Sequence, residues 1–162
     1  MSSIELNNPI NCRNTDRFDK DLNMNLPKED YISGISQKIE ELRNSCWSNL
    51  GVSRTQKNMI QLLKNLKSDI SELNSNPLLI NLEKLEIDQK IKLCEPNRRG
   101  LNLLLDLKNR QITTLLLLKA CLFREESRGG HFRDDYPLKH KKWICHSRQQ
   151  MNRGISKRFI KN

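Results

Sequence analysis

Ser53-Arg-Thr-Gln-Lys-Asn-Met-Ile-Gln-Leu-Leu-Lys-Asn-Leu-Lys-Ser-Asp-Ile-Ser-Glu-Leu73 is the stretch that decides the fold. Within it Met59, Leu63, Leu66, Ile70 and Leu73 recur at spacings of four, three, four and three, with polar residues filling most of the gaps. Only a helical pitch places those five side chains on one face, so the stretch reads as an amphipathic helix. Its start is marked as well. Ser53 followed by Gln56 fits the capping box, in which each side chain satisfies the other residue's orphan backbone N–H. At the far end Asn74-Ser75-Asn76-Pro77 is a break, and Pro77 suits the first position of a new short helix.

The same period extends on both sides. Upstream, Ile35, Ile39, Leu42, Cys46 and Leu50 are spaced by four, three, four and four, with Trp47 beside them. That predicts a helix starting near Ser33–Ile35 and ending at Asn49-Leu50-Gly51, with Gly51 as the residue just past its end. Residues 78–96 drift between helical and alternating patterns, which suits a short helix and an irregular connection closing at Glu95-Pro96. A last helix is predicted from about Asn97 to Glu126. Leu101, Leu104, Leu105, Ile112, Leu115, Leu116 and Phe123 mark one face of it, and Leu103, Leu107, Leu118 and Leu122 widen that face. A helix apolar almost all round at Leu115–Leu118 is expected to be central, with Gly129-Gly130 stopping it.

The expected architecture is therefore all-α: a three-helix up-down bundle over residues 33–130. A poorly structured arm or linker (1–32) precedes it and an extended basic tail (131–162) follows. Composition agrees. The 162 residues include 25 Leu and 14 Ile but a single Val and eight aromatics, which disfavours sheet architectures. Lys and Arg exceed Asp and Glu by 29 to 19, a net charge of +10, and the excess is uneven. Residues 123–162 carry 11 basic and 4 acidic side chains, while residues 1–122 carry 18 and 15. A basic tail suits nucleic acid, an anionic membrane face or an acidic protein, and charge alone does not choose.

Five cysteines without a C-x-x-C pair argue against a disulfide framework and suit a reducing compartment. The N-terminal MSSIELNNPINCRNTD lacks an apolar run of signal-peptide length. The longest uncharged apolar stretch, Gln111–Leu118, is far short of the ~20 residues that span a bilayer. A cytoplasmic protein with no membrane partner is the expectation.

Motifs for chemistry are sparse. Gly34, Gly51, Gly100, Gly129, Gly130 and Gly154 make neither GxGxxG nor a Walker A loop. HExxH and GxSxG do not occur, and no stretch makes a credible EF-hand loop. His131, His140, Cys145 and His146 lack the paired spacing of a zinc knuckle, which favours polar surface and packing roles. Cys121 on the central helix reads as a small core residue, since apolar burial raises a thiol's pKa and so suppresses the nucleophilic thiolate.

One string is distinctive. Glu-Ser-Arg-Gly-Gly-His-Phe-Arg-Asp-Asp-Tyr-Pro (Glu126–Pro137) crowds two arginines, a histidine, aspartates and aromatics behind a helix end. Such a knot can hold an unusual turn by side-chain hydrogen bonds or present an Arg fork to a carboxylate or phosphate. It resembles the E-S-R-G-x-H-x-R-x-D-Y-P signature near the C-terminus of L-aspartate oxidases, shared by the flavoprotein subunits of succinate dehydrogenase and fumarate reductase. Ile39–Arg54, with Leu42-Arg43, Trp47 and Gly51-Val52-Ser53-Arg54, resembles the first helix of that C-terminal domain. Asp106–Arg110 with Leu115–Phe123 is similar to its long helix, and Trp143-Ile-Cys-His-Ser147 to the W-x-x-H-[ST] that follows the signature. The Gly-Gly-His-Phe form and the short His-Ser-Arg-Gln-Gln ending look like oxidases of the cyanobacterial type.

The resemblance implies an FAD enzyme of NAD biosynthesis that oxidises L-aspartate to iminoaspartate, the substrate of quinolinate synthase. It also implies that the FAD-binding and capping domains precede this region. The chain is therefore expected to be the C-terminal helical domain of such an enzyme, a fragment or split product. It should be inactive alone, and no catalytic, cofactor-binding or metal-binding residue is assigned in it. Glu126, Ser127, Arg128, Gly129, His131, Arg133, Asp135 and Tyr136 are the candidate docking residues, with Arg128 and His131 placed to reach toward the cofactor region. The expected partners are those FAD-binding and capping domains, in cis or as a separate chain, with quinolinate synthase a further candidate. A stand-alone interaction module and a basic nucleic-acid binder, using Phe132, Tyr136, Trp143 and Phe159 as stacking groups, are the alternatives.

Overall fold

The computed structural model describes residues 29–85, 95–150 and 153–159. Helices carry most of them: α1 (Glu29–Leu50), α2 (Gln56–Asn74), α3 (Pro77–Glu83) and α4 (Glu95–Phe123). Short strands β1 (Ser53–Arg54) and β2 (Phe132–Arg133) pair in parallel, and β3 (Cys145–Gln150) and β4 (Gly154–Phe159) form an antiparallel ladder after a 3-10 turn at Lys141–Trp143. The helical class stands. The short helix expected from Pro77 is α3, and the two small ladders are what the expectation lacked.

Two apolar clusters form the core, and α4 runs through both. Ile35 of α1, Leu78 and Leu79 of α3, and Leu104 and Leu107 of α4 make one. Leu50 of α1, Met59, Leu62 and Leu66 of α2, and Leu118 and Cys121 of α4 make the other. Met59, Leu66 and Leu118 are fully buried, and truncating such a side chain to Ala typically costs about 2–5 kcal/mol. Between the clusters the seam of α4 is polar. Gln111 and Thr114 are buried there, and the Thr114 hydroxyl meets the Cys46 thiol at 3.4 Å.

The buried seam of α4 is thus Leu104, Leu107, Gln111, Thr114, Leu118 and Cys121. Leu105, Ile112 and Leu116, expected on the core face, and Leu117 of the stretch apolar nearly all round are between 39% and 48% exposed. With apolar residues nearly all round and two polar ones inside, the period could not say which side faces inward. The central position of α4 holds on one side only.

Helix ends also differ from expectation. α1 starts at Glu29, inside the segment assigned to the arm; residues 1–28 of that arm lie outside the described residues. Its first turn is anchored by the Asn76 amide, which donates to the Tyr31 hydroxyl at 2.6 Å. Asn76 also caps α3, accepting from the Leu78 N–H, with Pro77 at the first helical position as anticipated. α2 begins later than the capping box predicts. Its cap is Thr55, whose hydroxyl accepts from the Asn58 N–H, while Ser53 lies in β1. Gly51 does not take a left-handed conformation. It is required because a Cβ there would lie 2.5 Å from the Trp47 carbonyl oxygen.

The largest correction concerns 131–162. The described residues of that segment, 131–150 and 153–159, do not form an unpatterned extended tail but fold back as β2, a turn and the β3–β4 ladder, with Cys145 opposite Phe159 and Gln150 opposite Gly154. The strands have no apolar alternation to advertise them. They are held instead from α4, where Phe123 packs edge-on against Trp143 at 5.3 Å and the Leu116 carbonyl accepts from the Gln149 amide at 2.6 Å, and within the segment by the Lys157 ammonium, 3.6 Å from the Trp143 ring centroid.

Candidate functional site

α4 ends at Phe123, well before the two glycines expected to stop it. A helix leaves its last carbonyls without partners and gathers negative potential at that end. Here a buried guanidinium supplies what is missing. Arg133, 1% exposed, donates from Nη1 to the carbonyls of Cys121, Leu122 and Arg124 at 3.3, 3.1 and 3.3 Å. Its Nε and Nη2 grip the Asp135 carboxylate at 2.9 and 2.6 Å, and its face lies 4.5 Å from the Tyr136 ring centroid.

Asp135 carries the link onward. Its Oδ2 accepts from the backbone N–H of Gln56 at 2.9 Å, the first residue of α2. The ion pair therefore spans two helix ends, with the cation on the negative end of α4 and the anion on the positive end of α2. The hydrogen bonds from Arg133, joined by that from the Gln56 N–H, hold the Asp135 pKa below the usual carboxylate value. The parallel β1–β2 pairing reinforces the junction, as do the Asp134 N–H donating to the Arg54 carbonyl at 2.9 Å and the Ser53 hydroxyl donating to the Asp134 carboxylate.

Glu126 organises a second node and is fully buried. Its carboxylate accepts from Arg124, from Arg128 Nε and Nη2 at 2.9 and 3.0 Å, and from the His140 N–H at 3.0 Å. The Arg128 bonds are the largest cause of its depressed pKa, about 2, against the burial that opposes it. Arg124 then reaches the carbonyls of Trp143 and Cys145 at 3.1 and 2.6 Å, which fastens the β3–β4 ladder to the end of α4. Ser127, also buried, donates to the Arg133 and Tyr136 carbonyls and accepts from the Arg133 N–H at 2.9 Å.

Gly129 and Gly130 form a two-residue loop closed by reciprocal backbone bonds between Arg128 and His131, at 2.7 and 3.1 Å. Gly129 has φ +56°, a conformation glycine adopts without the Cβ penalty. His131 is wedged beneath. Arg54 Nη1 donates to Nδ1 at 3.3 Å, so the ring proton resides on Nε2 and is directed at the Arg124 carbonyl at 3.2 Å. Burial, with help from the surrounding guanidinium groups, holds the imidazole pKa below its usual value.

All eight candidate residues thus converge on one junction. Glu126, Ser127 and Arg133 are sealed inside it, His131 and Tyr136 are half-buried, Asp135 tethers α2, and Arg128 with Gly129 form its outer rim. Arg54, which closes the Gly51-Val52-Ser53-Arg54 pattern, and Arg124, two residues ahead of Glu126, are equal members although neither is among the candidate docking residues. Cys121 packs in the core, and burial raises its thiol pKa. Cys145 is buried at the start of β3 while His140 and His146 are exposed, and no group of three metal-ligating side chains occurs among the described residues. Chemically the junction is a charge-satisfied staple that joins α1, α2, α4 and the ladder.

Among the described residues, the arrangement does not fit an FAD cradle. The glycines form no dinucleotide fingerprint, the described strands make only two-stranded ladders, and the junction's arginines already hold carboxylates and helix carbonyls. Among the described residues, no helix is long and apolar enough to cross a membrane.

Comparison with known proteins matches residues 39–159 to a family described as the fumarate reductase flavoprotein C-terminal region. The chain is 35% identical over 114 residues to the L-aspartate oxidase of a Synechocystis species, covering 66% of this chain and 20% of that protein. It is 30% identical over 134 residues to the L-aspartate oxidase of a Nostoc species, covering 76% and 22%. A fumarate reductase (CoM/CoB) polypeptide from Methanothermobacter marburgensis is 31% identical over 106 residues, covering 64% and 17%. The chain spans about a fifth of the length of these curated relatives. No solved structure matches it.

Proposed function

The chain belongs to the fumarate reductase flavoprotein C-terminal family, and from that premise we propose that it is the helical C-terminal domain of a flavoenzyme of the L-aspartate oxidase type. The reaction, L-aspartate to iminoaspartate for NAD biosynthesis, belongs to FAD-binding and capping portions outside this chain, joined to it or present as a separate polypeptide. The domain's own part is mechanical: it offers a rigid surface against which the flavin-bearing portion packs, and it binds no FAD by itself. Quinolinate synthase, as consumer of the product, is a further proposed partner, and the cytoplasm the proposed site of action.

The observation that carries this reading is the self-satisfied junction at 124–136. Its buried charges are matched within the chain, so the loop does not depend on a ligand to hold its shape. It turns outward a narrow rim of Arg128, Gly129, Gly130 and the half-exposed Phe132. Such preorganisation lowers the ordering cost of association. The test is Arg128→Ala and His131→Ala in the flavoprotein assembled with this chain. Loss of bound flavin or a lowered melting temperature is expected in each. Unchanged flavin occupancy and thermal stability in both variants would sink the proposal.

A further inference from the structure

The side of α1 and α4 next to the junction leaves its apolar residues uncovered. Trp47 is 77% exposed and Val52 82%, the two most exposed large apolar side chains among the described residues. With Leu117, 48% exposed, they line a groove that Gly130 also borders. Past Arg43 and Cys46 it continues into a second groove between α1 and α4, where Ile39 and Leu42 meet Thr113 and Thr114. An apolar strip of this kind, led by a tryptophan and rimmed by an arginine, has the make-up of an association surface rather than of a solvated one.

The corner bearing Trp47 and Val52 is also fixed in place. The Trp47 carbonyl oxygen occupies the space of a Gly51 Cβ, so the chain turns tightly there. Arg54 Nε bonds the Leu50 carbonyl at 3.0 Å, and its Nη1 bonds Gly130 and His131, both at 3.3 Å. The staple therefore holds both walls of the groove, α1's end and the Gly130 loop, in one rigid unit.

We infer that Trp47, Val52 and Leu117 form the docking face for the flavin-bearing portion of the enzyme, a refinement that rests on the role proposed above. Two observations select that occupant. The aligned segment, 66% to 76% of the chain, covers only 20% to 22% of the relatives, so most of such an enzyme lies outside it, and the matched family region, 39–159, contains the whole face. The groove is also continuous with the rim of the 128–132 loop, so one partner surface covers both.

The experiment isolates the tagged chain from its source cells and compares it with the recombinant chain alone by hydroxyl-radical footprinting, together with a Val52→Asp variant. The expected result is a flavin-bearing assembly in which oxidation of Trp47 and Val52 is several-fold slower than in the free chain, while the exposed Phe159 on β4 oxidises equally in both. Val52→Asp, which places a charge in the interface, should lose at least roughly tenfold in flavin recovered per chain at unchanged melting temperature of the free chain. A flavin-bearing assembly with Trp47 still fully oxidised and Val52→Asp retaining flavin overturns the docking face and leaves the enzyme role standing. Wild-type chain without any flavin overturns both. Trp47 protected in the free chain, at monomer or at dimer mass, overturns the face by assigning it to the chain's own residues or to a second copy.

Discussion

Replacing Arg133 by alanine is the sharpest test of the staple. The side chain is buried, its Nη1 serves the carbonyls of Cys121, Leu122 and Arg124, and its other nitrogens hold Asp135. The two N–H bonds of Nη1, shared among three carbonyls, count as one to two hydrogen bonds, and a buried acceptor left without its donor costs about 1–3 kcal/mol. Removing one partner of a buried ion pair costs about 3–5 kcal/mol. The Asp135 side chain is 28% exposed and keeps the Gln56 N–H, so water and that bond recover part of the loss. About 4 kcal/mol is expected in total. At roughly 3 °C per kcal/mol for a chain of this size, the melting temperature should fall by about 12 °C. Arg133→Lys keeps the charge but not the planar fork and should restore less than half. Arg133→Ala with Asp135→Ala should be less damaging than the two losses added, because no carboxylate is stranded. The assay is thermal unfolding followed together by far-ultraviolet circular dichroism and tryptophan fluorescence, whose coincidence checks two-state behaviour. A fall of less than about 3 °C for Arg133→Ala, or strict additivity in the double variant, refutes the reasoning.

Glu126 has a folded pKa of about 2 against an ordinary 4.5, so the stability it contributes is present above the unfolded value and lost as pH falls through the folded one. Melting temperature plotted from neutral pH down to about 2 should drop less steeply in Glu126→Gln than in wild type; parallel curves would count against it. Gly51→Ala should destabilise by about 1–3 kcal/mol, because a Cβ meets the Trp47 carbonyl, an overpacking cost. Gly34→Ala in α1, where a Cβ meets nothing within 4 Å, should stabilise by about 0.5–1 kcal/mol; denaturant melts decide both. Of the described thiols, half-buried Cys46 should react first with an aromatic disulfide reagent in the folded chain. Cys121, whose thiol burial pushes upward, should react only on unfolding, as should buried Cys145.

What could be read in advance divides by the kind of interaction. α2 was legible because five apolar residues and a following Asn-Pro leave no other reading, and α3's cap was legible for the same local reason. The face of α4 was not, since Leu105, Ile112, Leu116 and Leu117 are as apolar as the buried seam while Gln111 and Thr114 sit inside it. The start of α2 was misplaced because part of its cap comes from Asp135, 79 residues away. The β3–β4 ladder was invisible for a similar reason: its strands are polar, and what orders them is Arg124, Phe123 and Gln149 reaching across to or from α4. At the junction, the eight signature residues lie together, but the string does not show what each of them bonds. Arg54 belongs to the quoted Gly-Val-Ser-Arg stretch, but that it and Arg124 join the junction follows only from their tertiary contacts.

The most direct measurement of the central claim is the native mass and flavin content of the species that carries this chain in its source cells. A domain of an L-aspartate oxidase-like enzyme predicts a flavin-bearing species several times larger than the 19.1 kDa chain, with L-aspartate oxidising activity. A flavin-free species at the chain's own mass would contradict it.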